Sequence, residues 1–190
     1  MKISILLPYK ENFSEKKAGA VSLFVHDNYF VSKFKKNINI YGNTDFQKKL
    51  NKNYINLKFK KNLFKSSSYE YIKSFLLSKN ILLSNIIEVH NRPNYIKLLR
   101  TQYKGKIFLY FHNDPLSMNG SESIRERSYL INNVDKIIFN SEWSRSRFFI
   151  DIKNQATLIK HTHICFQSAD KIKIDFKKKE KVISFIGKLN

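Results

Sequence analysis

The middle of the chain repeats one unit, which consists of an apolar strand, a polar turn that begins with histidine, and a helix. The predicted strand at residues 85–89 leads to His90, and the predicted strand at 106–111 leads to His112. Apolar runs of this length, separated by helical patterns, predict parallel strands that are joined by right-handed crossovers. The strand ends that lead into helices then lie at one edge of the sheet. This alternation restricts the chain to an α/β fold and brings the two histidines to one crevice.

Further apolar runs extend the pattern on both sides of this unit. Strands are also predicted at residues 2–7, 38–41, 54–59, 135–139 and 157–160. Helices are predicted over residues 21–31, after 66–68, from Pro93 to Gly105, from the Ser-x-x-Glu capping box at Ser123, and after Ser141. Strand 106–111 is apolar throughout, which predicts cover on both of its faces. The sequence therefore predicts a Rossmann-like, doubly wound and mainly parallel sheet.

Length and composition indicate one globular domain. A chain of 190 residues, 42% of them hydrophobic, can bury the core of one domain and is too short for two complete ones. The single cysteine, Cys165, excludes an intramolecular disulfide and is consistent with a reducing compartment. Residues 2–7 are followed by Pro8 and charged residues, unlike a signal peptide, and no apolar run approaches the roughly 20 residues that cross a bilayer. We therefore expect a cytoplasmic protein.

The charge balance is strongly basic, with 35 Lys and Arg against 15 Asp and Glu, a formal net charge of +20. Such an excess attracts phosphates, nucleic acid or anionic lipid without choosing among them. The abundance of Lys, Asn, Ile and Phe is also the bias of AT-rich coding sequence, so compositional drift is an equal explanation. Residues 58–65 interleave Phe with Lys, as a stacking platform for nucleic acid does, although a strand with one solvated face has the same pattern.

The turn after strand 85–89 has the chemistry of a polar ligand site. His90, Asn91 and Arg92 lie between a strand end and a helix start, and Pro93 suits the first helical position because it has no N–H to leave unsatisfied. The positive end of that helix and the guanidinium of Arg92 could both face an anion. Each histidine alone is equally well explained as a hydrogen-bonding residue at a strand end.

The turn after strand 106–111 carries His112, Asn113 and Asp114. A neutral histidine has one donor and one acceptor nitrogen, so it can hold a sugar hydroxyl or assist the transfer of its proton. Asp114 could act as a base, but its position before Pro115 is equally typical of a turn residue. We take His90, His112 and Asp114 as the catalytic candidates, with His90 the residue to test first.

The loop after the first strand contains Gly19 and Ala20, directly before a helical pattern. Glycine at this place permits close approach of a ligand phosphate to the backbone. The segment lacks the GxGxxG fingerprint of dinucleotide-binding proteins, so Gly19 taken alone is better explained as a turn glycine. A phosphate contact stays the alternative.

The segments EVHNRP, YFHNDP, VDKIIFNSEWSRSRF and ISFIGKLN occur in this order along nearly the whole chain. Each is a loose motif, but the ordered set resembles the N-terminal half of GT-B glycosyltransferases of the large retaining family four. In that family the first domain binds the acceptor, and a second Rossmann-like domain binds a nucleotide-sugar. The second domain begins with a strand that ends in Gly-Lys/Arg-Leu, which residues 185–190 match. The resemblance implies domains at residues 1–169 (acceptor-binding), 170–181 (basic linker) and 182–190 (first strand of a missing donor-binding domain).

The resemblance also implies roles for individual residues. It implies that His90 hydrogen-bonds the donor sugar near the reacting carbon and that His112 lies near the acceptor. Gly19 and Ala20 match a loop that approaches the donor phosphates or the acceptor, although the family's paired glycines are reduced here to Ala-Gly-Ala. The substrate-binding candidates are Gly19, Ala20, Asn91, Arg92 and Asn113. The Ser-Glu segment that starts at Ser141 is chiefly a helix cap.

The activity implied is transfer of a sugar from a nucleotide-sugar to a glycan or glycolipid acceptor in the synthesis of cell-envelope polysaccharide or lipopolysaccharide. The family needs no metal and no cofactor, and the sequence has no Asp-x-Asp motif. Its diphosphate-binding groups lie in the second domain, so residues 1–190 alone are expected to be inactive. The basic surface predicts peripheral contact with the anionic inner face of the membrane.

Two alternatives belong to other functional classes. A basic module for nucleic acid would show affinity that falls steeply with salt and does not depend on His90; we do not expect nucleic acid as a partner. A non-catalytic sugar- or nucleotide-binding module would bind ligand without turnover.

Overall fold

The computed structural model describes residues 1–60, 64–78, 81–153 and 155–167, through which a parallel sheet of seven strands runs. The strands are β1 (Ile3–Leu6), β2 (Ile38–Gly42), β3 (Tyr54–Asn56), β4 (Ile86–His90), β5 (Lys106–Phe111), β6 (Lys136–Phe139) and β7 (Thr162–Ile164). Their order in the sheet is β3-β2-β1-β4-β5-β6-β7, and all neighbours are parallel. The strand order reverses direction at β1, as in doubly wound sheets. The predicted Rossmann-like α/β fold is confirmed.

The connections between strands are mostly helical, and serines start several of the helices. The α-helices are α1 (Ala20–Val31), α2 (Ser67–Leu76), α3 (Tyr95–Gln102), α4 (Ile124–Asn133), α5 (Glu142–Phe149) and α6 (Gln155–Leu158). The predicted capping box is confirmed, because the Ser123 hydroxyl accepts the Glu126 N–H at 3.2 Å and the Glu126 carboxylate accepts the Ser123 N–H at 3.0 Å. The Ser141 hydroxyl caps α5 by accepting a backbone N–H at 3.1 Å. Each such cap stabilises a helix by about 1 kcal/mol.

The two faces of the sheet are covered unequally. Side chains of α2, α3, α4 and α5 pack with strand residues such as Val89 and Leu109 in the larger hydrophobic core. On the opposite face α1 forms a smaller core with β1 and β2, through residues such as Val25 and Ile5. Alternate residues of β5 on this face, Phe108 and Tyr110, are only half-buried, so the prediction that β5 is covered on both faces is wrong. An apolar strand sequence is equally compatible with burial on both faces and with one buried face and one partly covered face.

The last described strand lies later in the chain than predicted. Residues 157–160 fall in the end of α6 and a 3-10 turn (Ile159–His161), and β7 begins at Thr162. A run of four residues carries too few periods to separate strand from helix. The pairing with β6 decides the matter, because Ile137 lies opposite Thr162 and Phe139 opposite Ile164.

Two other boundaries differ from the prediction. β3 ends at Asn56 and not near residue 59, because its partner β2 ends at Gly42, the residue opposite Asn56. The helix predicted to begin at Pro93 begins at Tyr95, after a turn that includes the proline. The predicted linker 170–181 and strand 182–190 lie outside the described residues. Within the described ranges, no helix is both long and apolar enough to cross a bilayer.

Candidate functional site

The candidate site lies at the carboxyl edge of the sheet, where two asparagines hold the backbone of His112. Asn91 follows β4 in a left-handed conformation (φ 51°), which asparagine adopts more readily than most residues. Its side-chain oxygen accepts the His112 N–H at 2.7 Å, and its own N–H donates to the Tyr110 carbonyl at 2.8 Å. Asn140, which follows β6, donates from Nδ2 to the His112 carbonyl at 2.7 Å. The peptide groups on both sides of His112 are therefore fixed by neighbouring strand ends.

The two predicted histidines form a direct pair. Nδ1 of His90 and Nε2 of His112 are 3.0 Å apart. His90 is 1% exposed, whereas His112 is half-buried. The ring of His90 stacks on Tyr110 with centroids 4.5 Å apart, and Phe24 of α1 meets the His112 ring edge-on at 4.7 Å. Aromatic rings on both sides thus hold the pair in one orientation.

Both histidines are neutral near pH 7. Burial lowers the pKa of His90 to about 3. Burial, followed by the charge of the neighbouring His90, lowers the pKa of His112 to about 3. Since the nitrogens facing each other must be one donor and one acceptor, the tautomers of the two rings depend on one another. The pair therefore adds no charge to the site near pH 7.

A carboxyl group adjoins the pair on the side away from His112. Oε2 of Glu88 is 3.8 Å from Nε2 of His90, and the Glu88 side chain is 18% exposed. Burial raises the pKa of Glu88 to about 7. Both side chains line a cavity of about 380 Å³ under α1, together with Phe24, Asn28 and Tyr110. This enclosed glutamate is a titratable group that the sequence analysis did not select.

Arg92 and Asn113 border the pair but do not contact the imidazoles through any hydrogen bond of the described residues. Nη1 of Arg92 turns back to the Asn91 carbonyl at 2.7 Å. Asn113 is exposed, and its carbonyl accepts the Ser144 hydroxyl at 3.4 Å. The first amides of α3 are already used in a turn, because Tyr95 N–H donates to the Arg92 carbonyl at 3.0 Å. An anion at this point would depend on the Arg92 side chain more than on the helix start.

Asp114 is bound to α5. Its carboxylate pairs with Nη2 of Arg147 at 3.0 Å and accepts the Leu116 N–H at 3.1 Å. The hydrogen bond from Arg147 holds the pKa of Asp114 below its ordinary value. No hydrogen bond of the described residues joins Asp114 to either histidine. A carboxylate held in this way is a weak base, and it fixes the turn after β5 against α5.

The loop at Gly19 is occupied by a side chain of the protein. Oε1 of Glu11 accepts the Ser22 N–H at 3.1 Å, at the first turn of α1. A Cβ atom at Gly19 would collide with the same Glu11 carboxylate. The group that lies against the Gly19 backbone is thus a side chain of the protein, and the predicted approach of a ligand phosphate stays a prediction. Ala20 is exposed beside it and lines a cleft with Phe24 and Phe166.

Several residues of the site were missed by sequence reasoning. Glu88 had a visible signal, a carboxylate inside the apolar run IIEVH. Asn140 also had one, because it follows β6 as Asn91 follows β4. The contact of Glu11 with α1 had none, since it depends on the path of the loop after β1. Among the described residues, no group of three or more His, Cys, Asp or Glu side chains is arranged to hold a metal ion.

Comparison by sequence gives no relatives: no protein-family model matches the chain, and no curated protein matches it.

Comparison by structure does give similar proteins. One is Alr3699/HepE from Anabaena, in complex with UDP-glucose (10% identity, TM-score 0.57) or with UDP and glucose (10% identity, TM-score 0.55); the match covers 90% of this chain and 45% of HepE in both. Another is the sucrose-phosphate synthase of Thermosynechococcus elongatus (10% identity, TM-score 0.53), with 87% of this chain and 47% of that protein covered. This chain thus spans less than half the length of these proteins. At this identity the likeness establishes the fold alone, the Rossmann-like α/β sheet that this chain shares with these proteins.

Proposed function

We propose that this chain is the acceptor-binding half of a retaining, metal-independent GT-B glycosyltransferase of family four. The reaction is transfer of a hexose from a nucleotide-sugar to a glycan or glycolipid acceptor of the cell envelope. The observation that carries the proposal is the neutral pair of His90 and His112 at the carboxyl edge of a sheet whose fold is that of nucleotide-sugar-binding proteins. The four ordered sequence segments, which include YFHNDP and ISFIGKLN, support the same assignment.

The chemistry of transfer suits a neutral polar site on this half. The bond from the anomeric carbon to the diphosphate oxygen breaks, the acceptor oxygen bonds to that carbon, and the acceptor proton leaves with the diphosphate or a base. Positive charge develops on the sugar ring on the way. Neutral imidazoles can bind hydroxyl groups of the sugar without opposing that charge. In this proposal His112 orients the acceptor and Asn91 holds His112 in place. His90 acts on the donor sugar through His112, because its own ring nitrogens face His112 and Glu88.

The other candidate residues take supporting roles. Arg92, half-buried beside Asn91, attracts the donor phosphates, and the exposed Asn113 contacts the acceptor. Asp114 fixes the turn through Arg147 and does not act as the base. Neutralisation of the leaving diphosphate belongs to a second domain, so we propose that residues 1–190 bind ligand but do not turn it over. Gly19 and Ala20 contact a phosphate only when Glu11 moves away from α1.

The net charge of +20 supports peripheral contact with an anionic membrane, where glycolipid acceptors reside. We expect the protein to co-sediment with vesicles that contain anionic lipid and not with neutral vesicles. Binding should weaken as salt is raised, because exposed charges are screened. Equal binding to both vesicle types would contradict this part of the proposal.

The proposed function is tested by mapping ligand contacts on the ¹⁵N-labelled chain by NMR. Titration with UDP-glucose, and separately with an oligosaccharide from lipopolysaccharide, should shift the amide signals of residues 90–92 and 112–114. His112→Gln should reduce the shifts caused by the oligosaccharide. His163→Gln is the matched control, because His163 is exposed on β7 away from the pair.

Two outcomes would contradict the proposal. One is that the amide shifts fall only at the opposite edge of the sheet. The other is that a nucleic acid binds more tightly than either sugar ligand, with an affinity that His90→Gln leaves unchanged, which is the behaviour of a basic nucleic-acid module.

A further inference from the structure

Three titratable side chains form a continuous row beneath α1. Side chains alternate between the faces of a strand, so Glu88 and His90 of β4 point to the same face. His112 follows β5, the next strand, and completes the row. Glu88 Oε2 lies 3.8 Å from His90 Nε2, and His90 Nδ1 lies 3.0 Å from His112 Nε2.

The row has buried polar atoms that lack hydrogen bonds. Nε2 of His90 and Nδ1 of His112 are enclosed and have no hydrogen-bond partner among the described residues. Leaving such an atom unpaired costs about 1–3 kcal/mol. The separation of Nε2 from the Glu88 carboxyl, 3.8 Å, exceeds an ordinary hydrogen bond by about 0.8 Å. Glu88 is the carboxyl within 4 Å of Nε2, so we infer that a shift of its side chain pairs this atom.

Only two arrangements of protons satisfy all the contacts of the row. If Glu88 is ionised, His90 donates to it from Nε2, so its Nδ1 must accept from Nε2–H of His112. If Glu88 is protonated, it donates to Nε2 of His90, whose Nδ1–H then donates to Nε2 of His112. In the first arrangement His112 carries its proton on Nε2, and in the second on Nδ1.

We propose that Glu88 is a positioning residue that sets the tautomers of His90 and His112 together through its own protonation. Gain of one proton by the carboxyl moves the N–H of each ring from Nε2 to Nδ1, and loss of that proton reverses the change. The number of protons on each ring stays at one, so both rings remain neutral throughout. The carboxyl is the one group of the row whose charge changes.

The other titratable groups that face Glu88 do not compete for this role. Tyr110 of β5 and Cys165 after β7 lie near the carboxyl, and burial raises the pKa of each, so both stay neutral from pH 5 to 8. From α1, Tyr29 lines the same cavity beside Phe24 and Asn28. Farther across the face, Lys136 donates to the Lys160 carbonyl at 3.4 Å, and His163 is exposed.

The consequence for catalysis rests on the proposed function, whereas the tautomer change itself does not. With Glu88 ionised, Nδ1 of His112 is an acceptor. Because this atom is enclosed, an acceptor hydroxyl can donate to it only once the ligand has displaced the side chains that cover it. With Glu88 protonated, the same atom carries the proton, so Nδ1–H donates to the oxygen of the hydroxyl. Ligand orientation at His112 therefore depends on a carboxyl that the ligand does not touch.

The test is NMR of the full chain with ¹⁵N-labelled histidine, without any sugar ligand. Two-bond proton–nitrogen correlations distinguish Nδ1–H from Nε2–H rings. From pH 8.5 to 5.5 we expect the signals of His90 and His112 to change from the Nε2–H to the Nδ1–H pattern with one shared midpoint. In Glu88→Gln both tautomers should be independent of pH. Glu15→Gln, at an exposed carboxyl, is the matched control and should titrate like the wild type.

Three results would overturn the inference: no tautomer change in the wild type, a change in one histidine alone, or a change that persists in Glu88→Gln. The wild-type titration decides by itself if Glu88→Gln does not fold. Since no sugar is present, failure of this experiment is distinct from failure of the proposed function, which the ligand titrations address.

Discussion

Acidification is a direct test of how the buried site is protonated. Between pH 7 and pH 5 the unfolded chain takes up protons on its histidines, whose ordinary pKa is 6.5, while the folded protein keeps His90 and His112 neutral. A group whose pKa is lowered by folding destabilises the protein as the pH falls below its unfolded pKa. From the shift to about 3, each histidine should remove about 2 kcal/mol from the free energy of unfolding over this interval.

Glu88 acts in the opposite direction. Its pKa rises from 4.5 to about 7 on folding, so between these values the folded protein holds a proton that the unfolded chain releases. The free energy of unfolding therefore increases as the pH falls from 7 to 5, by about 2 kcal/mol, and this contribution is lost as the pH rises through 7. The three groups together predict a net loss of about 2 kcal/mol in the wild type.

Glu88→Gln removes the compensating contribution, so this variant should lose about 4 kcal/mol over the same interval. Urea denaturation at pH 7, 6 and 5 measures the difference. With a slope of about 2 kcal/mol per molar urea, the extra loss corresponds to a shift of the midpoint by about 1 M. The other titratable groups affect both chains equally. Glu15→Gln should follow the wild type, because its carboxyl is exposed.

The reasoning would be refuted if Glu88→Gln and the wild type lost the same stability between pH 7 and 5. Such a result would mean that the carboxyl is as well solvated in the folded protein as in the unfolded chain. His112→Gln provides an independent check on the other side of the balance. It should lose about 2 kcal/mol less than the wild type over this interval, because one buried histidine is gone.

Other substitutions probe the frame of the site by urea denaturation at pH 7. Asn91→Ala should cost about 2 kcal/mol, since it loses both the hydrogen bond to His112 and the side chain that tolerates φ 51°, whereas Asn91→Gly should cost about 1; equal losses would contradict the backbone argument. Arg127→Met should cost about 3 kcal/mol, because the buried guanidinium donates to the carbonyls of Glu122 at 2.6 Å and Ile150 at 2.8 Å; a loss below about 1 would refute this. Asp114→Asn should cost less than about 1 kcal/mol, because the ion pair of Asp114 with Arg147 is partly exposed. High salt should bring the urea midpoint of this variant closer to that of the wild type, because salt screens the pair. A larger loss, or one that does not depend on salt, would indicate another role for Asp114.

The sheet and the histidine pair could be predicted because both follow from local patterns. Apolar runs mark strands, the alternation with helices makes them parallel, and parallel strands place His90 and His112 at one edge. The position of β7 could not be predicted in this way, because it is decided by pairing with β6 across more than twenty residues of sequence.

Charges inside the site were harder to predict than its position. The pattern IIEVH indicates a buried strand, and it is the cover provided by α1 that encloses Glu88 and raises its pKa. The sequence around Asp114 fits a catalytic base and a turn residue equally well. Its role depends on the ion pair with Arg147, which lies on a helix 33 residues further along the chain. Long-range partners of this kind leave no periodic signal in the chain.

The contact of Glu11 with the first turn of α1 makes phosphate binding at Gly19 an exchange between two anions. A ligand phosphate must displace the Glu11 carboxylate from the Ser22 amide, so its observed binding free energy is the difference between two similar attractions to the start of α1. The displaced carboxylate also remains tethered nearby, as a competitor present at high effective concentration. Free phosphate in solution should therefore bind weakly at this position. A ligand that is anchored elsewhere, for instance by its sugar, can compete on equal terms because it is tethered as well.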